Sequence, residues 1–272
     1  MQIDFLKMHG LGNDFIIIDE RQGILVPEER KANFAEKYCK RKFSIGADGV
    51  LFLEKILNHD VNMRIFNPDG SEAENCVNGL RCTAFTLYKI DGCDGVKEFD
   101  INTKAGPTHA KVNPLNYESV MVEIEVLGKR DYLGTDKISV EGKDFEFHFV
   151  DVGNPHAVIF LDTPVDDFDV EKFGHIIEYH EKFQPDRINT EFVNTTKDNS
   201  LIMRVHERGA CETQACGSGS LATVIAACEA GYVKKNEWID VIQPGGKLEI
   251  FYGEELRLKG QAEFSFKGTI FL

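Results

Sequence analysis

Short apolar runs dominate the chain, and most have the length and period of β-strands. Residues 3–6, 15–18, 49–53, 61–66, 120–126, 157–160, 201–205 and 248–251 each read as a strand, and 145–150 alternates strictly. Helical patterns are fewer. Residues 27–40 open with Pro27 and Glu28-Glu29 and then place Ala32, Phe34, Ala35, Tyr38 and Cys39 at helical spacing. Residues 76–90 and 216–230 are the other two predicted helices. The last of these is small and apolar along its length (Leu221-Ala222-Thr223-Val224-Ile225-Ala226-Ala227), which predicts a helix buried on all sides.

The same elements occur twice. Residues 63–79 align without a gap on residues 203–219, so that Met63/Met203, Arg64/Arg204, Glu72/Glu212, Cys76/Cys216, Gly79/Gly219 and Thr83/Thr223 all coincide at an offset of 140 (216 − 76). Gly106 matches Gly246 at that offset, and Gly12-Asn13 matches Gly153-Asn154 at 141 (153 − 12). The expected fold class is therefore α+β: two pseudo-symmetric domains, each a mostly antiparallel or mixed sheet wrapped around one central helix. The expected boundaries are residues 1–117 and 118–263.

In each half a strand enters a polar, glycine-bearing loop, and the loop enters the buried helix at a cysteine. A helix N-terminus has unpaired N–H groups and the positive end of the helix dipole. It favours a thiolate and binds a carboxylate. Val77-Asn78-Gly79 and Gly217-Ser218-Gly219 offer those groups. Two equivalent thiols on opposite sides of one cleft can remove a proton from one face of a carbon and return one to the other. Cys76 and Cys216 thus point to racemase or epimerase chemistry. Cys39, Cys82, Cys93 and Cys228 lack polar surroundings and read as core residues, and Cys211 also reads as packing.

Composition narrows the function. With 272 residues, 42% apolar and 28% charged, the chain is long enough for two domains with real cores. A net charge of −14 with scattered basic residues argues against a nucleic-acid partner. No run approaches the ~20 apolar residues of a membrane span, and the N-terminus lacks the features of a signal peptide. Seven dispersed cysteines, with no Cys-x-x-Cys pair, favour a reduced cytoplasmic setting over a disulfide framework or a zinc site. Neither cysteine segment carries a lysine, so no pyridoxal cofactor is expected.

The residues quoted so far, together with Lys7-Met8-His9-Gly10-Leu11-Gly12-Asn13-Asp14-Phe15, Ile45-Gly46-Ala47-Asp48-Gly49, Phe66-Asn67-Pro68-Asp69-Gly70-Ser71, Gly153-Asn154-Pro155-His156, Arg187-Ile188-Asn189, Glu207-Arg208-Gly209 and Gln243-Pro244-Gly245-Gly246, resemble the diaminopimelate epimerases along the whole chain. The resemblance implies a cofactor-independent enzyme that interconverts LL- and meso-diaminopimelate, with Cys76 and Cys216 as the acid/base pair. It implies that Asn13, Asn67, Asn154, Asn189, Glu207 and Arg208 hold the distal amino-acid group. Val77, Asn78, Gly217 and Ser218 would bind the reacting carboxylate, and His156 and Glu207 would tune the thiols. It further implies a site in the interdomain cleft, closure on the substrate, a last strand (residues 264–272) that returns to the first domain, and a homodimer.

Three positions depart from the common pattern. Val77 stands where the family usually has glycine, Gly49 where many members have glutamine, and Cys211 where glycine is common. A racemase of another amino acid, histidine for example, is the nearest rival on this framework. A thiol-disulfide redox protein and a non-catalytic amino-acid-binding protein are the rivals from other classes.

Overall fold

The computed structural model describes residues 2–271. The chain forms two compact units: residues 1–127 with 259–272, and residues 128–258. The boundary falls later than the expected 117/118 because the strand at residues 119–125 pairs with the strand before it. The return to the first unit begins at 259, inside the last strand, and not at 264.

The first unit contains β1 (Gln2–Gly10), β2 (Asn13–Glu20), α1 (Lys31–Tyr38), β3 (Gly49–Glu54), β4 (Val61–Phe66), β5 (Glu72–Ala73), α2 (Val77–Ile90), β6 (Lys97–Thr103), β7 (Gly106–Pro114) and β8 (Ser119–Glu125). β1 and β2 are antiparallel, β2 and β3 parallel, β3 and β4 antiparallel, β4 and β6 parallel, and β6, β7 and β8 antiparallel. The last strand of the chain pairs with both β1 and β8, which closes the set into a ring. α2 runs through its middle, buried continuously from Asn78 to Leu87.

The runs at 15–18 and 49–53 are apolar without alternation because both faces are covered. Phe15, Ile17, Leu51 and Leu53 pack with Leu80, Phe85 and Leu87 of α2, while Ile16, Ile18, Val50 and Phe52 pack with Phe34, Ala35 and Tyr38 of α1. Full burial of a side chain such as Phe85 is worth about 1.5–3 kcal/mol. α1 is shorter than expected, since Glu28–Arg30 forms a separate 3-10 turn before it.

The second unit repeats this order. It comprises β9 (Asp131–Val140), β10 (Lys143–Asp151), β11 (Pro155–Phe160), α3 (Val170–Glu178), β12 (Asn189–Thr195), β13 (Ser200–Glu207), β14 (Cys211–Thr213), α4 (Gly217–Glu229), β15 (Trp238–Gln243) and β16 (Gly246–Tyr252), and the chain ends in β17 (Leu256–Phe271). β11 and β12 are parallel, as are β13 and β15, matching β2–β3 and β4–β6. α4 is its buried helix. Gly106 and Gly246, with φ of 116° and 136°, turn the matching hairpins β6–β7 and β15–β16.

α3 was not predicted. Asp169 caps it, and Val170, Phe173 and Ile177 form its apolar face, but Gly174 interrupts the pattern. The structure explains the glycine: a Cβ there would lie 2.2 Å from Cβ of His206 on β13.

Candidate active site

Cys76 and Cys216 occupy the same local geometry. Each is the N-cap of its buried helix, with φ/ψ of −153°/111° and −123°/115°. Each sulfur accepts the N–H three residues on, from Gly79 at 3.4 Å and from Gly219 at 3.3 Å. The side-chain cap satisfies one of the orphan donors of the first turn. The loops leading to the cysteines are fixed in the same way. Arg64 Nε donates to Glu72 Oε1 at 2.7 Å, and Arg204 Nε to Glu212 Oε1 at 2.7 Å.

In the first unit the structure brings Asn13 and Asn78 to Cys76. Asn13 Oδ1 accepts from Asn78 Nδ2 at 3.0 Å and lies 3.9 Å from the sulfur. Asn13 Nδ2 donates to Asp48 Oδ2 at 2.9 Å, and Asp48 and Asp14 are both held by Arg41. Asn78 Oδ1 is buried with no hydrogen-bond partner among the described residues. Asn67 bonds within its own turn, donating to Ser71 Oγ at 3.0 Å. Val77 is the first helical residue of α2 and has no positive φ, so its branched side chain is not strained there. It lines a small hollow with Leu80, Thr108 and Ile124.

The second unit carries a charged network. Cys216 Sγ lies 3.3 Å from Glu207 Oε2 and 3.4 Å from Ser218 Oγ. Thr213 donates to the other oxygen of Glu207. Asn154 Nδ2 reaches Ser218 Oγ at 3.5 Å, and its Oδ1 meets His156 Nε2 at 3.1 Å. His156 is fully buried, and its Nδ1 lies 2.7 Å from Glu191 Oε1. Burial pushes the Glu207 carboxyl above its ordinary range. Burial, reinforced by Glu207 and Glu191, pushes the Cys216 thiol well above the usual value. Cys216 is therefore a thiol that donates to Glu207. Asn189 and Arg208 form a separate pair: Asn189 Oδ1 accepts from the Arg208 N–H at 3.0 Å, and Arg208 Nη1 donates to the Asp186 carbonyl at 2.6 Å. Gly217 is buried as the first residue of α4.

Several supporting residues escaped the sequence reading. Gln243 Oε1 accepts the Cys216 N–H at 2.8 Å, and its Nε2 donates to Ser220 Oγ at 3.0 Å. Glu191 is a lone acid in a largely buried strand, where the repeat places Leu51. Gly219 admits it, because a Cβ there would lie 2.7 Å from Glu191 Oε1. Glu178 accepts from Arg187 at 2.8 Å and from the Gly209 N–H at 3.0 Å, which fixes the loop after Arg208. Its neighbours His175 and His206 could complete a three-residue metal set; both of these bonds use Oε1, and Oε2 meets His206 Nε2 at 2.9 Å.

Cys211 corrects an expectation. It is exposed, not packed, and its φ of 64° explains why glycine suits the position. Cys39 and Cys82 are buried as expected, whereas Cys93 and Cys228 are only partly so. Gly49 is buried, and a Cβ there would lie 3.1 Å from the Phe66 carbonyl oxygen.

Comparison with known proteins agrees with the local geometry. The family model described as diaminopimelate epimerase matches residues 5–125 and 148–262. The diaminopimelate epimerase of Carboxydothermus hydrogenoformans is 38% identical, covering 99% of this chain and 100% of that protein. That of Desulforapulum autotrophicum is 36% identical, covering 99% of each. Among solved structures, a hydroxyproline epimerase from Agrobacterium vitis superposes with a TM-score of 0.74 at 13% identity, covering 99% of this chain and 92% of that one. A PhzF-family phenazine biosynthesis protein from Bacillus anthracis gives 0.73 at 16%, covering 100% of both. The distant structures establish the fold alone.

Proposed function

The chain belongs to the diaminopimelate epimerase family, and from that premise we propose that it interconverts LL- and meso-diaminopimelate by a two-thiol proton transfer. The observation that carries this reading is the duplicated cysteine cap: two sulfurs, each at the N-terminus of a buried helix, each on the same loop of a repeated unit. One sulfur enters as thiolate and takes the α-proton. The other enters as thiol and protonates the opposite face. The product leaves with the two protonation states exchanged.

Proton transfer by a positioned group supplies roughly 10²–10⁴-fold. The rest must come from orientation and from stabilising the carboxylate as charge develops on it. The helix N-termini after Cys76 and Cys216 suit that task, through Val77, Asn78, Gly217 and Ser218. A substrate with an amino acid at each end needs both cation and anion recognition. Arg208 supplies a carboxylate clamp, and Glu207 with the carbonyl oxygens of Asn13, Asn67, Asn154 and Asn189 supplies acceptors for an ammonium. In this reading the two units close on the substrate, His156 tunes the second sulfur, no pyridoxal group takes part, and the protein works as a cytoplasmic homodimer. Among the described residues no helix is long and apolar enough to cross a membrane. The product would serve lysine or cell-wall synthesis.

The relatives' names favour this substrate over another amino acid. The test is proton NMR of LL-diaminopimelate with reduced protein in D2O. Loss of the α-proton signal with growth of the meso isomer is expected. An intact signal, with exchange at histidine or another amino acid instead, would retain the chemistry and overturn the substrate. No exchange with any amino acid would remove the enzyme reading.

A further inference from the structure

The two halves match in geometry but not in charge. The offset of 140 residues is also structural: Leu51 lies opposite Ile65 in β3–β4, and Glu191 lies opposite Val205 in β12–β13. At this offset Leu51 becomes Glu191, Asn67 becomes Glu207, and Arg81 becomes Leu221. The second half therefore gains two acids beside its sulfur, while the first half alone carries a cation on its buried helix.

Arg81 is fully buried. Its Nε donates to the Gln261 carbonyl at 3.3 Å, but Nη1 and Nη2 have no hydrogen-bond partner among the described residues. The guanidinium lies against Gly10, where a Cβ would come within 2.6 Å of Nη2. Gly10 pairs with Asn13 across β1–β2, so the cation sits under the hairpin end whose Asn13 Oδ1 faces Cys76. The acids of that region, Asp14 and Asp48, are held by Arg41, and Asp14 also by Lys7. Burial pushes Arg81 down to about 10, which leaves it charged at neutral pH, and Cys82 and Cys76 are the groups that act against this. Burial in turn pushes Cys82 up to about 12, so Cys82 remains a thiol. A buried cation without a counter-charge is strongly unfavourable. Cys76 is the group at hand that can supply the negative charge.

We propose that Arg81 is a positioning residue whose buried charge keeps Cys76 as the thiolate of the resting protein, while Glu207 keeps Cys216 a thiol. Glu207 is the acid in direct contact with the Cys216 sulfur, whereas Glu191 is paired with His156. The inference rests on the thiolate/thiol reading above, and assigns its two states to named sulfurs.

The test is the pH dependence of iodoacetamide alkylation, read at Cys76 and Cys216 separately by peptide mass spectrometry of the reduced full-length protein. In the wild type the Cys76 midpoint should fall below that of Cys216 and below the ordinary thiol value of ~8.5. Arg81→Leu, which copies the second half, should raise the Cys76 midpoint by about one unit or more, a tenfold loss of thiolate below it. The acid limb of kcat/KM should move up with it. Arg81→Lys should restore both, and the Cys216 midpoint should stay in place. An unchanged Cys76 midpoint in folded Arg81→Leu overturns the proposal. Arg81→Gln gives the same reading should the leucine variant not fold. In the wild type alone, a Cys76 midpoint at or above that of Cys216 overturns it as well. Failure of the α-proton exchange assay would leave these midpoints unaffected, so the two readings fail separately.

Discussion

Gln243 offers a sharp test of how the second sulfur is held. Its buried amide ties the Cys216 N–H (2.8 Å) to Ser220 Oγ (3.0 Å), and Ser220 Oγ donates on to the Cys216 carbonyl at 2.8 Å. Replacing it with leucine keeps the volume and removes both polar ends. The lost bond to Ser220 is worth about 0.5–1.5 kcal/mol, and the orphaned Cys216 N–H about 1–3 kcal/mol. Ser220 keeps its bond to the carbonyl and adds little. The sum, roughly 1.5–4.5 kcal/mol, should lower the Tm by on the order of 10 °C. The catalytic effect should be larger in kcat than in KM. The N-cap backbone sets the direction of the sulfur, and a displacement of about 1 Å can reduce rate by about 10²-fold. Calorimetry and α-proton exchange in D2O measure the two effects. Wild-type kcat in a destabilised Gln243→Leu protein would show that the cap holds its geometry without this side chain, and the account of Cys216 positioning would have to be abandoned.

Cys76→Ala and Cys216→Ala should each lose epimerisation by at least about 10²-fold while retaining a cooperative unfolding transition; substantial turnover by either alanine variant would rule out the two-thiol scheme. Glu207→Gln has a signed pH dependence. The folded carboxyl sits above its ordinary range because of burial, so the stability it contributes is present at low pH and is lost as pH rises through the folded value. The glutamine variant should thus melt higher than wild type at pH 7, and the difference should shrink below about pH 4.3, where the unfolded carboxyl also protonates. The same substitution should lower the alkylation midpoint of Cys216, since Glu207 opposes its ionisation. If the two sulfurs meet across one carbon, mild oxidants should inactivate reversibly through a disulfide. Titrating thiols before and after reductant checks this, and inactivation without loss of two thiols counts against it.

The strands with short, continuous or alternating apolar runs were legible; β6, β7, β9, β12 and β15 were not, because charged and polar residues break up their apolar positions. The cysteine helices were legible because the repeat marked both. What escaped were features that depend on distant partners. Gly174 hid α3, since nothing local says that His206 will crowd that position. The return of β17 to the first unit came from the resemblance and not from any local pattern, since its pairing with β1 and β8 is far away in sequence. Among site residues, the cysteines, Glu207, Ser218, Asn13 and Asn154 declared themselves by motif. Gln243 stood in a quoted motif but without a role, because that role depends on a fold that brings it to Cys216. Arg81 was not singled out, because only its complete burial distinguishes it from a solvated helix charge.

The repeat explains the geometry and also sets a problem. Duplication of one unit yields two sulfurs with the same cap, the same loop anchor and the same buried helix. Identical surroundings would give them equal acidity, and a proton-transfer pair needs one partner charged and the other neutral at the start. Divergence at Leu51/Glu191, Asn67/Glu207 and Arg81/Leu221 breaks the equivalence without altering the backbone, since the matching caps keep nearly the same dihedrals. The acids reinforce the effect of burial on Cys216: a desolvated thiol beside a carboxylate holds its proton firmly until a stronger base appears. A carbanion forming next to the substrate carboxylate is such a base. On the proposed two-thiol scheme, this charge pattern would make the second sulfur a reluctant acid in the free protein, ready to deliver its proton when the substrate carbon becomes negative.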